Sequence, residues 1–162
     1  MMSRCPVPIE QRPINQYQDI SQSWFYSWGS REIWPYSKPL VVLWCMSWFV
    51  TGPVAAASFA PSKYPLPFVI WAAVGALLLP LLTLAQLYVG WLHVGHRLQQ
   101  EEVPYEESGW YDGQVWQKPE DVLNRDRLIM MYEVQPILKR VRNTLSVLIA
   151  VGVALLATGQ FL

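Results

Sequence analysis

Two histidines, His93 and His96, stand three residues apart in Trp91-Leu-His-Val-Gly-His-Arg97. On a helix this spacing turns both imidazoles to one face. Neutral imidazole at a membrane boundary ligates a metal, a haem iron or the magnesium of a chlorophyll, so His93 and His96 are the candidate pigment or metal ligands. The plainer use of histidines there is bonding to water, lipid headgroups or backbone. No cysteine joins them. Cys5 and Cys45 make neither a disulfide framework nor a zinc site, and the dipeptide Cys5-Pro6 is too short to specify haem. The nearest carboxylates lie in Glu101-Glu-Val-Pro-Tyr-Glu-Glu-Ser-Gly-Trp-Tyr-Asp-Gly-Gln114. Paired carboxylates can support acid–base chemistry or bind a hard cation. Their spacing matches no EF-hand, and a solvated acidic loop accounts for them more simply. Aromatic residues interleaved with carboxylates also suit docking on a partner protein. On that ground Tyr105, Glu106, Glu107, Trp110, Tyr111, Asp112 and Trp116 are candidate partner-binding residues. Trp24, Phe25 and Trp28 join them from an aromatic stretch nearer the N-terminus. There is no phosphate-cradling glycine loop, nucleophile elbow or zinc-protease helix. The pattern reads as a binding protein, not an enzyme.

The elements that must position these residues are set by composition. The chain has 162 residues, 52% hydrophobic and only 15% charged, against about 25% charged in ordinary soluble domains. Nine Trp and eight Tyr fit a protein at a membrane interface, where the ring is buried and its polar atom stays wet. Net charge is zero and gives no reason to expect nucleic-acid binding. The apolar residues are gathered into three uncharged runs, from about Leu40 to Phe59, Leu66 to Leu92 and Thr144 to Leu162. Each is about the 20 residues needed to cross a bilayer, or longer. The predicted fold is an all-α membrane protein with three transmembrane helices: a hairpin joined by the turn 60–65, plus a C-terminal helix. Gly52 and Pro53 are tolerable inside a membrane helix, and Pro80 is the expected kink in the second. Ala150, Ala154 and Thr158 form a small-residue stripe suited to close helix packing. These runs carry no acid or base of the kind that pumps and proton carriers need.

Residues 1–39 are punctuated by Pro6, Pro8, Pro13, Pro35 and Pro39. This segment should be irregular and interfacial, with one or two helical turns between Ile20 and Trp34, and it holds no apolar stretch like that of a secretory leader. The loop 93–143 carries seven basic and nine acidic residues. Its second half, about 120–142, is predicted to be an amphipathic helix, with Pro119, Glu120 and Asp121 at its start and a kink or division at Pro136. Arg31, Lys38, Arg97, Lys139, Arg140 and Arg142 flank one set of span ends, and Lys63 stands alone at the other. The positive-inside rule therefore places the N-terminus and the large loop in the cytoplasm or stroma and the C-terminus on the opposite face.

Two stretches resemble a known family: Cys5-Pro-Val-Pro-Ile-Glu-Gln-Arg-Pro-Ile-Asn15 followed by Ser23-Trp-Phe-Tyr-Ser-Trp28, and Tyr105-Glu-Glu-Ser-Gly-Trp-Tyr-Asp-Gly-Gln-Val-Trp116 with Lys118-Pro119. The chain is similar over nearly its whole length to small membrane proteins of cyanobacteria, algal plastids and plants. They were first described as a hypothetical chloroplast reading frame, and the plant members fall in the set conserved in the green lineage and diatoms. The resemblance implies the thylakoid membrane and a role near photosynthetic complexes, and it implies no catalytic residues; with the charge-based orientation, a thylakoid setting makes the C-terminus lumenal. The expectation is an auxiliary protein, embedded in lipid, that assists assembly or stability of a photosystem or related pigment–protein complex. The alternatives are a permanent small subunit or pigment-binding accessory with chlorophyll or haem on His93 or His96, and a membrane enzyme or metal-handling protein.

Overall fold

The computed structural model describes residues 5–107 and 110–161, and for residues 107 and 110–113 it describes the backbone alone. Helix α1 (Pro13–Gln22) is followed by α2 (Ile33–Ser58), α3 (Pro65–Ala76) and α4 (Leu78–Gln99). A β-hairpin follows, β1 (Glu102–Glu107) and β2 (Trp110–Gln117), then α5 (Glu120–Ile129), a π-helical turn (Met130–Val134) and α6 (Gln135–Gln160). Short 3-10 turns occupy Ile9–Gln11 and Tyr26–Ser30. Among the described residues three helical runs are long and apolar enough to cross a membrane: Ile33–Ser58, Pro65–Gln99 and Glu120–Gln160.

The hairpin corrects the all-α expectation. Val103 and Tyr105 alternate on one face of β1 and are buried, and Val103 pairs across the ladder with Trp116. A bulge interrupts the register between Tyr105 and Glu107. Pro104 is compatible with this strand because a two-stranded sheet needs ladder donors on one edge only.

Prolines explain the remaining differences. Helix α1, unexpected from the sequence, begins on Pro13, whose missing N–H would be unpaired at a first helical position anyway, and the 3-10 turn Tyr26–Ser30 falls between Ile20 and Trp34 as expected. The first apolar helix likewise begins at Ile33, ahead of Leu40: Pro35 falls in its first turn, and Pro39 and Pro53 are carried inside. In the second run the break is at Leu77, not at Pro80. Pro80 cannot donate to the Ala76 carbonyl, so the helix is interrupted one turn before the proline. Past that break, α4 continues to Gln99 and carries both histidines. Pro136 does not divide its helix. The ring of a helical proline crowds the carbonyl four residues back, here Tyr132, and that residue lies inside the wider π turn Met130–Val134.

The chain forms two compact units, residues 1–30 with 88–139 and residues 31–87 with 140–162. In the second unit α2 and α3 form an antiparallel hairpin, its turn closed by Lys63 and Tyr64 N–H groups donating to the Ala60 carbonyl. Ala55, Ala72, Ala73 and Ala76 are buried there, and Phe59 stacks on Trp71 with ring centroids 6.3 Å apart. The C-terminal part of α6 runs beside α2 in the same direction: Arg140 donates to the Arg31 carbonyl and lies over the Tyr36 ring, and the Tyr36 hydroxyl donates to Thr144 Oγ1 at 3.1 Å. Val141, Leu148, Gly152, Leu155 and Gly159 make the covered face of α6. Ala150, Ala154 and Thr158, the expected packing stripe, are exposed, because the seven-residue repeat of glycines and leucines sets the inward face instead.

The first unit has its own small core, Val7, Val103 and Tyr105, with Cys5 and Trp116 packed against it.

Candidate functional site

The first unit brings the sequence's two distinctive stretches together. Gln11 reaches the outer edge of β1 as a strand would: its Nε2 donates to the Glu106 carbonyl at 3.1 Å, and the Glu106 N–H donates to its Oε1 at 3.0 Å. A side-chain amide thus satisfies an edge that would otherwise pair with another chain. Arg12 Nε donates to the Val7 carbonyl at 3.0 Å and Asn15 Nδ2 to the Ile9 carbonyl at 2.8 Å, which fixes the turn leading into α1.

Beneath the hairpin lies a buried ion pair. Lys118 Nζ is 3.0 Å from Asp126 Oδ2, and the two side chains are 0% and 1% exposed. The ammonium also donates to the carbonyls of Arg97 and Leu98, at 3.0 and 3.1 Å. All three of its donors are therefore used, two of them on the last turn of α4, where unpaired carbonyls and the negative end of the helix dipole favour a cation. Asp126 Oδ1 accepts from Arg125 Nη2 at 3.2 Å. The Lys118 N–H donates to the Glu101 carbonyl at 2.9 Å, closing the open end of the hairpin. One lysine thus joins helix end, hairpin and α5. Nothing in the eight-residue separation of Lys118 and Asp126 signals a pair in the sequence, where only a proline followed by a helix start marks the place.

The N-terminal aromatic segment packs on α4. A Cβ on Gly90 would stand 2.3 Å from the Tyr26 ring, so only glycine admits that ring. Trp91 Nε1 donates to the Tyr26 carbonyl at 3.1 Å. Tyr17 meets Trp91 edge-on and donates its hydroxyl to Glu133 in the π turn. Burial first, then the Glu133 carboxylate as acceptor and as charge, pushes the Tyr17 phenol up to about 12.

The expected site residues divide accordingly. Trp24 is 86% exposed and Phe25 half-buried. Trp28 and Tyr105 are buried, so these two belong to the scaffold and not to a docking surface. Trp116 is half-buried against the Val7 core, and Glu106 is exposed. The side chains of Glu107, Trp110, Tyr111 and Asp112 lie outside those described; their backbones belong to the hairpin, with Glu107 opposite Trp110. His93 and His96 are both exposed near the end of α4. His93 lines a cavity of about 470 Å³ with Gln11, Arg97, Tyr105 and Gln114, and His96 does not. Among the described residues no group of three His, Cys, Asp or Glu is placed to hold a metal ion.

Residues 5–147 match the family described as Conserved in the green lineage and diatoms 27, CGLD27-like. The chain belongs to this family. The matched range holds the whole polar knot around Lys118, the hairpin, α1 and the first two apolar helices. Among CGLD27-like relatives, the Arabidopsis thaliana protein Conserved in the green lineage and diatoms 27, chloroplastic, is 46% identical over 144 residues. That alignment covers 88% of this chain and 44% of the relative, so the chain spans less than half of that protein's length. The Porphyra purpurea protein ycf36 is 41% identical over 146 residues, 90% of this chain and 88% of that one. The ycf36 protein of Cyanophora paradoxa is 36% identical over 151 residues, 93% and 95% of the two chains. No solved structure matches the chain.

Proposed function

We propose that this CGLD27-like protein is a non-catalytic, multi-pass thylakoid membrane protein that assists assembly or stability of a photosystem or related pigment–protein complex by docking. The observation that carries the reading is how the first unit uses its side chains. Its interior charges, Lys118 and Asp126, are committed to holding the unit together. Meanwhile large apolar side chains, Trp24, Val115, Met131 and Tyr132, are turned outward. The apolar helices support the same reading. Only 11%, 28% and 6% of the residues in their most apolar stretches are buried within the chain, so lipid or partner helices must cover the rest. The joined starts at Arg31 and Arg140, with Lys63 alone in the α2–α3 turn, support a cytoplasmic or stromal N-terminus and large loop and a lumenal C-terminus. A chloroplastic relative supports the thylakoid setting.

Affinity purification from solubilised thylakoids tests the proposal. Photosystem or pigment-protein chains should co-purify, and their complexes should fall in a deletion strain. Recovery of the protein alone, with complexes at normal levels in the deletion strain, refutes it.

A second reading rests on the His93 cavity. Imidazole and the Arg97 guanidinium share its wall, a pairing that suits a tetrapyrrole with a carboxylate side chain. In that reading the protein is a pigment-binding accessory. The absorption spectrum of the purified protein should then show a bound tetrapyrrole that His93→Ala removes; a colourless wild type rejects it.

A further inference from the structure

A second cavity of the first unit is lined in part by the buried ion pair itself. It measures about 210 Å³ and is walled by Cys5, Arg12 and Asn15 from the N-terminal side, Trp116 and Lys118 from the hairpin end, and Arg125 and Asp126 from α5. Three cations and one carboxylate face it. That carboxylate is already spent, with Oδ2 on Lys118 and Oδ1 on Arg125. The Lys118 ammonium has no donor left. The two guanidiniums do: Arg12 uses only Nε, on the Val7 carbonyl, and Arg125 only Nη2, on Asp126. Among the described residues their other N–H groups have no protein acceptor. Two guanidiniums with N–H groups to spare thus border one small polar space, Arg12 partly buried and Arg125 with its side chain 53% exposed, and an anion placed between them would accept charge-assisted hydrogen bonds from both.

The local sequence deepens that imbalance. Arg12 occupies the N-cap of α1, there is no side-chain cap, and the first turn carries no acidic residue. A cation at the positive end of a helix is the reverse of the usual arrangement. It is accounted for if an anion lies between that end and the guanidiniums.

We propose that this cavity binds a tetrahedral oxyanion, a phosphate or sulfate-type group held between Arg12 and Arg125. Planar guanidiniums offer such oxygens two parallel N–H bonds each, which a lysine cannot. Trp116 and the methyls of Val122 close the apolar part of the wall, the side on which an ester carrying the group would lie. The anion is either free in solution or the headgroup of an anionic lipid, both being the same chemistry at this site. The site also gives the buried pair a further role: Lys118 and Asp126 hold Arg125 in place from beneath.

The test uses the full chain in neutral detergent. Thermal unfolding is followed while inorganic phosphate, or phosphatidylglycerol in mixed micelles, is titrated against sodium chloride of equal ionic strength. A saturable rise in Tm beyond that given by chloride is expected. A response to phosphate identifies a free oxyanion, and a response to phosphatidylglycerol alone identifies a lipid headgroup. Arg12→Gln and Arg125→Gln should each weaken the apparent Kd by about tenfold or more, the usual loss with one charge-assisted bond. Equilibrium dialysis of the wild-type chain against labelled phosphate, and lipid analysis of the purified protein, give the same answer if either variant fails to fold. No saturable stabilisation by either probe, together with neither phosphate nor anionic lipid retained, overturns the proposal. An undiminished response in both variants also overturns it.

Discussion

The Lys118–Asp126 pair shows how differently a buried charge behaves when broken and when replaced. Removing one partner strands the other, without water, against helix carbonyls or a lone guanidinium. Lys118→Met should therefore lower unfolding stability by about 3–5 kcal/mol in a denaturant titration. Lys118→Met with Asp126→Leu should recover most of that loss, since apolar residues of similar volume often replace a buried pair at little cost. A double variant as weak as the single one would mean that the two helix carbonyls, not the carboxylate, are what the lysine serves. Tyr17 adds a pH dependence of defined sign. Its phenol is raised from 10.0 to about 12 in the folded chain. The neutral form is favoured by folding, so this contribution is fully present below about pH 10 and is lost as pH rises through 12. An ultraviolet titration should show a phenol ionising near pH 12 that Tyr17→Phe removes; an unchanged curve would dissociate Tyr17 from Glu133.

Helices and hairpin differ in how much of themselves they reveal to sequence reading, for a physical reason. A run such as Leu40–Phe59 is uncharged from end to end, and backbone satisfaction in an apolar medium leaves a helix as the only single-segment solution. The hairpin was illegible because its inward positions Val103 and Tyr105 are separated by Pro104 and followed by a bulge, which hides the two-residue period. The pairing of Lys118 with Asp126 was hidden more deeply. It depends on where α4 ends in space, not on any local spacing. The sequence marks the aromatic residues of the candidate surface but not their exposure. Exposed Trp24 stands where an aromatic docking residue was expected, whereas Trp28 and Tyr105 share that composition and are buried. Composition names aromatic residues without saying which way they face. Glycines on α4 make the element-scale test. In an open helix glycine to alanine gains roughly 0.5–1 kcal/mol. At Gly90 the added methyl would strike the Tyr26 ring at 2.3 Å, next to a chain tied by Trp91. Gly90→Ala should therefore destabilise, by roughly 1–3 kcal/mol. At Gly95 the nearest atom, 2.9 Å away, is the Met130 sulfur, which can swing aside. Gly95→Ala should cost less than Gly90→Ala in the same thermal-unfolding series, and the opposite order would mean that the π turn is the more rigid neighbour.

At the scale of the whole molecule, the proposed docking and membrane insertion would cover the large apolar side chains that the chain leaves exposed. Among the described side chains of the first unit Trp24 is the most exposed large aromatic, and buried aromatic anchors dominate interfaces. Trp24→Ala should reduce partner recovery from solubilised membranes more than Lys63→Ala does. Equal recovery would move the docking surface off the N-terminal segment. Trp116→Ala is a poorer probe, because its ring also packs on the Val7 core and its loss confounds folding with binding. Orientation is the wider claim, and it can be read independently of any partner. Within the second unit the Arg31 carbonyl is held by Arg140, which puts the basic starts of two apolar helices together, while Lys63 sits in the turn at the far end of the α2–α3 hairpin. If the positive-inside rule governs this chain, a cysteine replacing Lys63 and one replacing exposed Gln18 lie across the membrane from each other. With Cys5 and Cys45 changed to serine, an impermeant maleimide added outside sealed thylakoids should label the Gln18→Cys protein and spare the Lys63→Cys protein until the membrane is opened. Labelling of both before opening would show that the helical hairpin does not cross the bilayer, and the apolar helices would then have to be covered by protein instead of lipid.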